Sequence, residues 1–165
     1  MLKISLSLKE LDFRQLTDVY QDSIRQSGYE HYYHESEQQQ ILMAEQDLYL
    51  YLKEFYKIHD ACCSVWEENG VYISALRMEP YRDGLLVNGL ETMPNMRRRG
   101  YGMLLLKAVL AHIRKTSSLP VYSHVDKNNT ASLSLHEKAG FKRISDNASF
   151  IDGSVRNSAY TLQFR

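Results

Sequence analysis

Apolar and polar residues alternate at the start of the chain, Ile4, Leu6 and Leu8 against Ser5 and Ser7. A period of two predicts a strand with one buried face over residues 3–9. The period then lengthens. Residues 11–26 read as a helix with Asp12 as its cap and Gly28 beyond its end. Residues 35–59 read as one long helix or two broken ones, because Leu48, Leu52, Phe55 and Tyr56 recur at helical spacing. The run Tyr29-Glu30-His31-Tyr32-Tyr33-His34 reads as an aromatic connection between these helices. Three strands are predicted next. Residues 62–67 end at the hairpin signal Asn69-Gly70, residues 71–78 end near Pro80 and Asp83-Gly84, and residues 85–93 end at Pro94. Over residues 99–116, Leu104, Leu105, Leu106, Val109, Leu110 and Ile113 make a helix apolar nearly all round, so it should be largely buried. A short strand over 120–125 precedes a helix capped by Asn128 or Asn129 and stopped at Gly140. Residues 141–151 and 154–164 close the chain as a hairpin through Asp152-Gly153, with Tyr160, Leu162 and Phe164 on one face.

This order is that of a mixed α/β domain around one sheet. The passage from the third hairpin strand, through the buried helix, to residues 120–125 requires a parallel crossover. The chain has 165 residues, which suits a single domain over 1–165 with a sizeable core. Twenty basic residues balance twenty acidic ones, so no global field draws the protein to nucleic acid or an anionic membrane. Cys62 and Cys63 are adjacent and would point to opposite sheet faces, which argues against a disulfide and suits a reducing cytoplasm. No apolar run is long enough to span a membrane.

The local basicity is concentrated where chemistry is expected. Arg97-Arg98-Arg99-Gly100-Tyr101-Gly102 lies between a strand and a helix. At such a junction unpaired backbone N–H groups and the helix dipole favour an anion, and glycine allows close approach of a phosphate. Taken alone, the glycines could equally serve tight helix packing. The segment lacks the Gly-Lys-Ser/Thr ending of a Walker loop and the third glycine of a dinucleotide turn.

The wider segment, from Leu90-Glu91-Thr92-Met93-Pro94 through Arg97 to Gly102, resembles the acyl-CoA binding core of the GNAT family of N-acetyltransferases. Further on, Asn129-Thr130-Ala131-Ser132-Leu133-Ser134-Leu135-His136-Glu137-Lys138-Ala139-Gly140-Phe141 resembles the family's second signature. The two occur in order, with a strand between them. The resemblance implies a mostly antiparallel seven-stranded central sheet flanked by about four helices. It also implies direct transfer of an acetyl group from acetyl-CoA to the primary amine of a small molecule or protein. The chain itself is expected to be a cytoplasmic monomer or homodimer without a metal. Leu90, Glu91 and Thr92 would offer backbone groups to the pantetheine arm, where a bulge splays this strand from residues 120–125. The turn containing Arg97, Arg98 and Arg99 would hold the pyrophosphate on backbone N–H groups running from Arg98 through Gly100, Tyr101 and Gly102 to Met103. Asn129 would contact the pantetheine or thioester end. One N–H near Leu90–Thr92 would stabilise the oxyanion.

Two positions depart from the family pattern. His136 stands where a tyrosine usually protonates the leaving thiolate, and Thr92 replaces a commoner apolar residue. For the general base there are two candidates, His124 near the end of its strand and Glu91 beside the splayed strands. Tyr29, Tyr32 and Tyr33 would line an acceptor pocket or staple two helices to the sheet. His31 and His34 lack a third ligand for a metal, His59 and His112 read as structural, and the cysteines read as packing residues. The alternative to an enzyme is a non-catalytic acyl-CoA-binding regulatory module. A nucleic-acid binder using the arginines ranks below both.

Overall fold

The computed structural model describes residues 1–165. Its elements run β1 (Leu2–Ser5), α1 (Phe13–Val19), α2 (Gln21–His31), α3 (Glu37–Phe55), β2 (Cys62–Glu68), β3 (Val71–Tyr81), β4 (Gly84–Thr92), α4 (Tyr101–Thr116), β5 (Val121–Asp126), α5 (Thr130–Lys138), β6 (Lys142–Ser145), β7 (Ala148–Ser149), β8 (Val155–Arg156) and β9 (Ala159–Phe164). Seven strands form one sheet in the order β1-β2-β3-β4-β5-β9-β6. Only β4 and β5 are parallel, and α4 makes the crossover between them. The closing hairpin is interrupted: β6 pairs with β9, while β7 and β8 form a separate two-stranded ladder at its far end. No helix is long and apolar enough to cross a membrane.

Each sheet face carries its own core. On one face α1, α2 and α3 pack through Leu16, Val19, Ile24, Leu52 and Phe55 onto Cys63, Val65, Tyr72 and Ala75. On the other, α4 packs Leu105, Leu106, Val109, Leu110 and Ile113 onto Cys62, Leu76, Val87, Val121 and Leu162. Cys62 and Cys63 therefore serve opposite faces and are both free. Leu105 and Leu106 are completely buried, and each contributes about 2 kcal/mol by leaving water. Leu104, expected inside with them, is 42% exposed, so α4 keeps one solvent edge.

Several boundaries differ from the pattern-based expectation. The first helix breaks at Tyr20 (φ −89°, ψ 15°), which gives five helices where four were expected. Asp12 does cap α1, accepting from the Gln15 N–H. Gly28 does not end the helix that follows. It is buried inside α2, where a Cβ would lie 2.7 Å from the Gln40 carbonyl oxygen of α3. The glycine is needed for close helix approach, which the period along one helix does not reveal. Tyr29 to His31 form the last residues of α2, and Tyr29 and Tyr33 are exposed. Tyr32 donates its hydroxyl to Asp47 of α3 at 2.5 Å, so the aromatic run ties two helices together. β3 continues through Pro80 because that residue lies beyond the last β2 pair, Cys62 with Met78, and has no ladder bond to lose there.

Candidate active site

The site begins with a defect in the sheet. Opposite β4, the register of β3 shifts between Ala75 and Arg77, and Gly89 adopts φ +58°. The extra residue is a β-bulge, and a bulge twists its strand away from the neighbouring one. β4 and β5 accordingly pair only from Leu85–Val121 to Val87–Ser123. Beyond that point they separate, although β4 continues to Thr92 and β5 to Asp126. Tyr20, at the break between α1 and α2, fixes the bulge by donating its hydroxyl to the Gly89 carbonyl at 2.9 Å. Since the Met93 N–H donates to Ile73 of β3, alternation along the strand turns the backbone groups of Leu90 and Thr92 toward the open side.

The turn after β4 supplies donors. Arg98 and Gly100 take left-handed conformations, φ +59° and +86°. Gly100 is the N-cap of α4 and brings no capping side chain. None of the backbone N–H groups from Arg98 through Met103 donates to a protein atom. Six successive unpaired donors at the start of a 16-residue helix form a nest for an anion. Gly102 is buried, and a Cβ there would meet Leu135 and the Thr92 hydroxyl at 3.2–3.3 Å, so this glycine also serves packing.

The splayed strands and the nest border one cleft of about 1180 Å³. Of the residues singled out from sequence, Leu90, Glu91, Thr92, Arg97, Arg98, Gly100, Tyr101, Gly102, Met103, His124, Asn129 and His136 all line it. Arg99 does not; its side chain is exposed beside it. Arg97 is tied inward, its Nε donating to the Thr92 carbonyl at 3.1 Å and its guanidinium pairing with Asp22 of α2. Tyr101 turns its hydroxyl to Glu68 at 2.8 Å, which leaves only its backbone for the cleft. Asn129 caps α5, with Oδ1 accepting from the Ser132 N–H at 3.0 Å. Its Nδ2 has no protein partner.

The three ionisable candidates sit in different surroundings. His136 is buried, with its ring edge-on to Phe141 at 5.0 Å. Nδ1 lies 2.8 Å from the Ser132 carbonyl, and a carbonyl only accepts, so Nδ1 carries the proton. Nε2 is buried without a partner and presents a lone pair. Burial lowers the His136 pKa against the opposing pull of that carbonyl, which favours the neutral ring at pH 7. His124 lies edge-on to Tyr81 and Phe150 at 5.3 and 5.0 Å, with neither ring nitrogen partnered. Burial, then the charges of Arg82 and Arg156, lower its pKa as well. Glu91 accepts from the Ser23 hydroxyl of α2. Burial raises its carboxyl above the ordinary range, while Ser23, Arg97 and Arg77 hold it back.

Sequence periodicity did not single out Tyr20, Asp22, Ser23 or Arg77, which pin α2 and the bulge to this cleft. Arg77 did leave a signal, as a charge flanked by Ala75, Leu76 and Met78 in a largely apolar strand.

The family model of the acetyltransferase (GNAT) family matches residues 15–141, most of the chain. The chain belongs to the GNAT acetyltransferase family. GNAT enzymes use an acyl-CoA donor, and both signature segments fall inside the matched range. Solved structures agree in fold. A PaiA N-acetyltransferase from Thermoplasma acidophilum, in complex with coenzyme A, is 16% identical with a TM-score of 0.66, covering 100% of this chain and 99% of that one. A ribosomal-protein-alanine N-acetyltransferase from Brucella melitensis is 15% identical with a TM-score of 0.68, covering 99% and 98%. The ribosomal-protein-S18-alanine N-acetyltransferase from Escherichia coli is 20% identical with a TM-score of 0.61, covering 99% and 93%. No curated protein matches in sequence.

Proposed function

We propose that this GNAT enzyme transfers an acetyl group from acetyl-CoA directly to a primary amine. The observation that carries the reading is the row of unpaired N–H groups from Arg98 to Met103 beside strands that part at Val87 and Ser123. A pyrophosphate suits the nest, and an extended pantetheine arm suits the open edge of Leu90, Glu91 and Thr92, with Asn129 Nδ2 as a further donor.

When bound, acetyl-CoA supplies the acetyl thioester and leaves as thiol. The chain's own groups handle protons and charge. Glu91 takes the proton of the acceptor ammonium, so that a neutral amine forms the N–C bond as the C–S bond breaks, and the acylated nitrogen then loses its second proton to water to become the neutral amide. An N–H on the open edge at Leu90 or Thr92 donates to the oxygen that gains charge. We favour Glu91 over His124 as base because Glu91 borders two cavities, the main cleft and a smaller one beneath α2 and α3, whereas His124 borders only the first. Neutral His136 offers Nε2 as an acceptor and steadies the thiol end; it is not the acid. A thiol with a pKa of about 8.5 needs little help to leave and takes its proton from solvent.

The test is thiol release from acetyl-CoA with a panel of primary amines. Turnover that disappears in Glu91→Gln while CoA still binds is the expected result. A neutral His136 also gives weight to a non-catalytic CoA-binding module. That reading gains if CoA binds tightly and no amine, small-molecule or peptide, releases thiol.

A further inference from the structure

Arg77 is the one charge among Tyr72, Ile73, Ser74, Ala75, Leu76 and Met78, and the cleft described above does not use it. It lies on the sheet face covered by α1, α2 and α3. Its Nε donates to Asn88 Oδ1 at 3.1 Å, and Asn88 Nδ2 donates on to Glu79 at 2.8 Å. Its guanidinium carbon sits 5.4 Å from the Tyr20 ring centre and 5.0 Å from that of Tyr51. Two aromatic faces therefore hold the fork in place. Behind it is Gly89 of the bulge, where any Cβ would collide with the guanidinium.

What the fork lacks is an anion in direct contact, since Glu91 feels its charge without pairing with it. Arg77 takes part in none of the five ion pairs of the molecule. Neither Nη group donates to a protein atom, and neither is sealed from solvent. Arg77 lines a cavity of about 330 Å³ whose wall also includes Tyr20, Ala44, Tyr51 and Glu91. This cavity shares Ser23 and Glu91 with the main cleft. Its volume is at the small end of ligand pockets, about 300–1,000 Å³. Asp47, already engaged by Tyr32, stands exposed at its rim.

A partly buried guanidinium with free parallel N–H groups is matched by a carboxylate, which it can hold through two bonds. Glu91, on the same face of the neighbouring strand, is matched by an ammonium. We propose that the cavity beneath α2 and α3 is the acceptor subsite and that Arg77 binds the carboxylate of an amino-acid-like acceptor whose amine faces Glu91. This rests on the acetyl-transfer reading above and narrows its substrate class. A polyamine fits poorly, because the fixed cation repels a second ammonium. The N-terminus of a protein fits poorly too, because its first carbonyl is an uncharged amide.

The experiment compares the common L-amino acids with their C-terminal amides, and with simple monoamines and polyamines, by thiol release from acetyl-CoA. In parallel, each compound is scored by its effect on the melting temperature of the CoA-saturated protein. The expected result is that one group of amino acids exceeds its own amides by at least about tenfold in kcat/KM, and alone stabilises the CoA complex. Arg77→Met should collapse that acid-over-amide ratio toward one, and Arg77→Lys should restore part of it. CoA affinity serves as the check that each variant is folded. CoA binding with amides or polyamines preferred, or with no amino acid raising the melting temperature, overturns the carboxylate proposal and leaves the acetyl-transfer reading standing. Absence of CoA binding overturns that reading itself.

Discussion

Glu91 joins the two halves of the site, so its ionisation should govern turnover. Burial holds its carboxyl above the usual carboxylate range. The group must be ionised to accept a proton, so kcat/KM should rise with pH along a limb lying above about 4.3, the ordinary glutamate value. Glu91→Gln should erase that limb and cut kcat by about 10²–10⁴ with CoA affinity retained. If His124→Ala does this and Glu91→Gln does not, the base is His124. His136 has a different consequence. Its native pKa and that of His124 are both lowered by burial. The unfolded chain therefore binds more protons below about pH 6.5, so stability should fall as pH drops through that value toward the lowered native pKa. Urea denaturation at pH 7.5 and 5.5 reads the difference, and His136→Phe should shrink it. The same variant keeps a ring against Phe141 and should retain turnover with little loss of CoA affinity; loss of turnover with CoA still bound would make His136 a catalytic residue.

Among the elements, the glycines separate packing from binding. A side chain at Gly28 strikes the Gln40 backbone of α3, where nothing flexible can yield. Gly28→Val should destabilise the protein by about 1–3 kcal/mol, with CoA affinity unchanged in the folded fraction. At Gly100 no protein atom lies within 4 Å of an added Cβ, but φ is +86° and the residue lines the cleft. Gly100→Val should weaken CoA binding by about tenfold or more, whereas Arg98→Ala, removing an exposed charge, should change it far less. The reverse order in calorimetry would mean that side chains hold the phosphates. These two glycines also mark what the sequence could disclose. Gly100 was legible because it sits at a strand-to-helix junction in a recognisable pattern. Gly28 was misread as a helix stop, since a close approach between α2 and α3 leaves no trace in the periodicity of either. The break at Tyr20 was missed for a related reason: the residue is anchored by a bond to the Gly89 carbonyl, 69 residues away, which no local period reveals.

The whole molecule divides its labour across the sheet. The α4 side builds the nest and the cleft from contiguous motifs, so the residues that line this cleft could be picked out along the chain. The α1–α3 side builds the second cavity from Tyr20, Ser23, Tyr51, Arg77 and Glu91, scattered over five elements or their junctions and brought together only by folding. No spacing along the chain announces them. Both halves depend on the claim that the nest and splayed strands hold acyl-CoA. Calorimetric titration of the unliganded protein with CoA tests it most directly, with the melting temperature as a companion reading. Saturable binding at one site per chain is predicted, with native-state stabilisation of about 2.7 kcal/mol at a hundredfold excess over Kd. No heat of binding, together with no rise in melting temperature at saturating CoA or acetyl-CoA, would contradict the account.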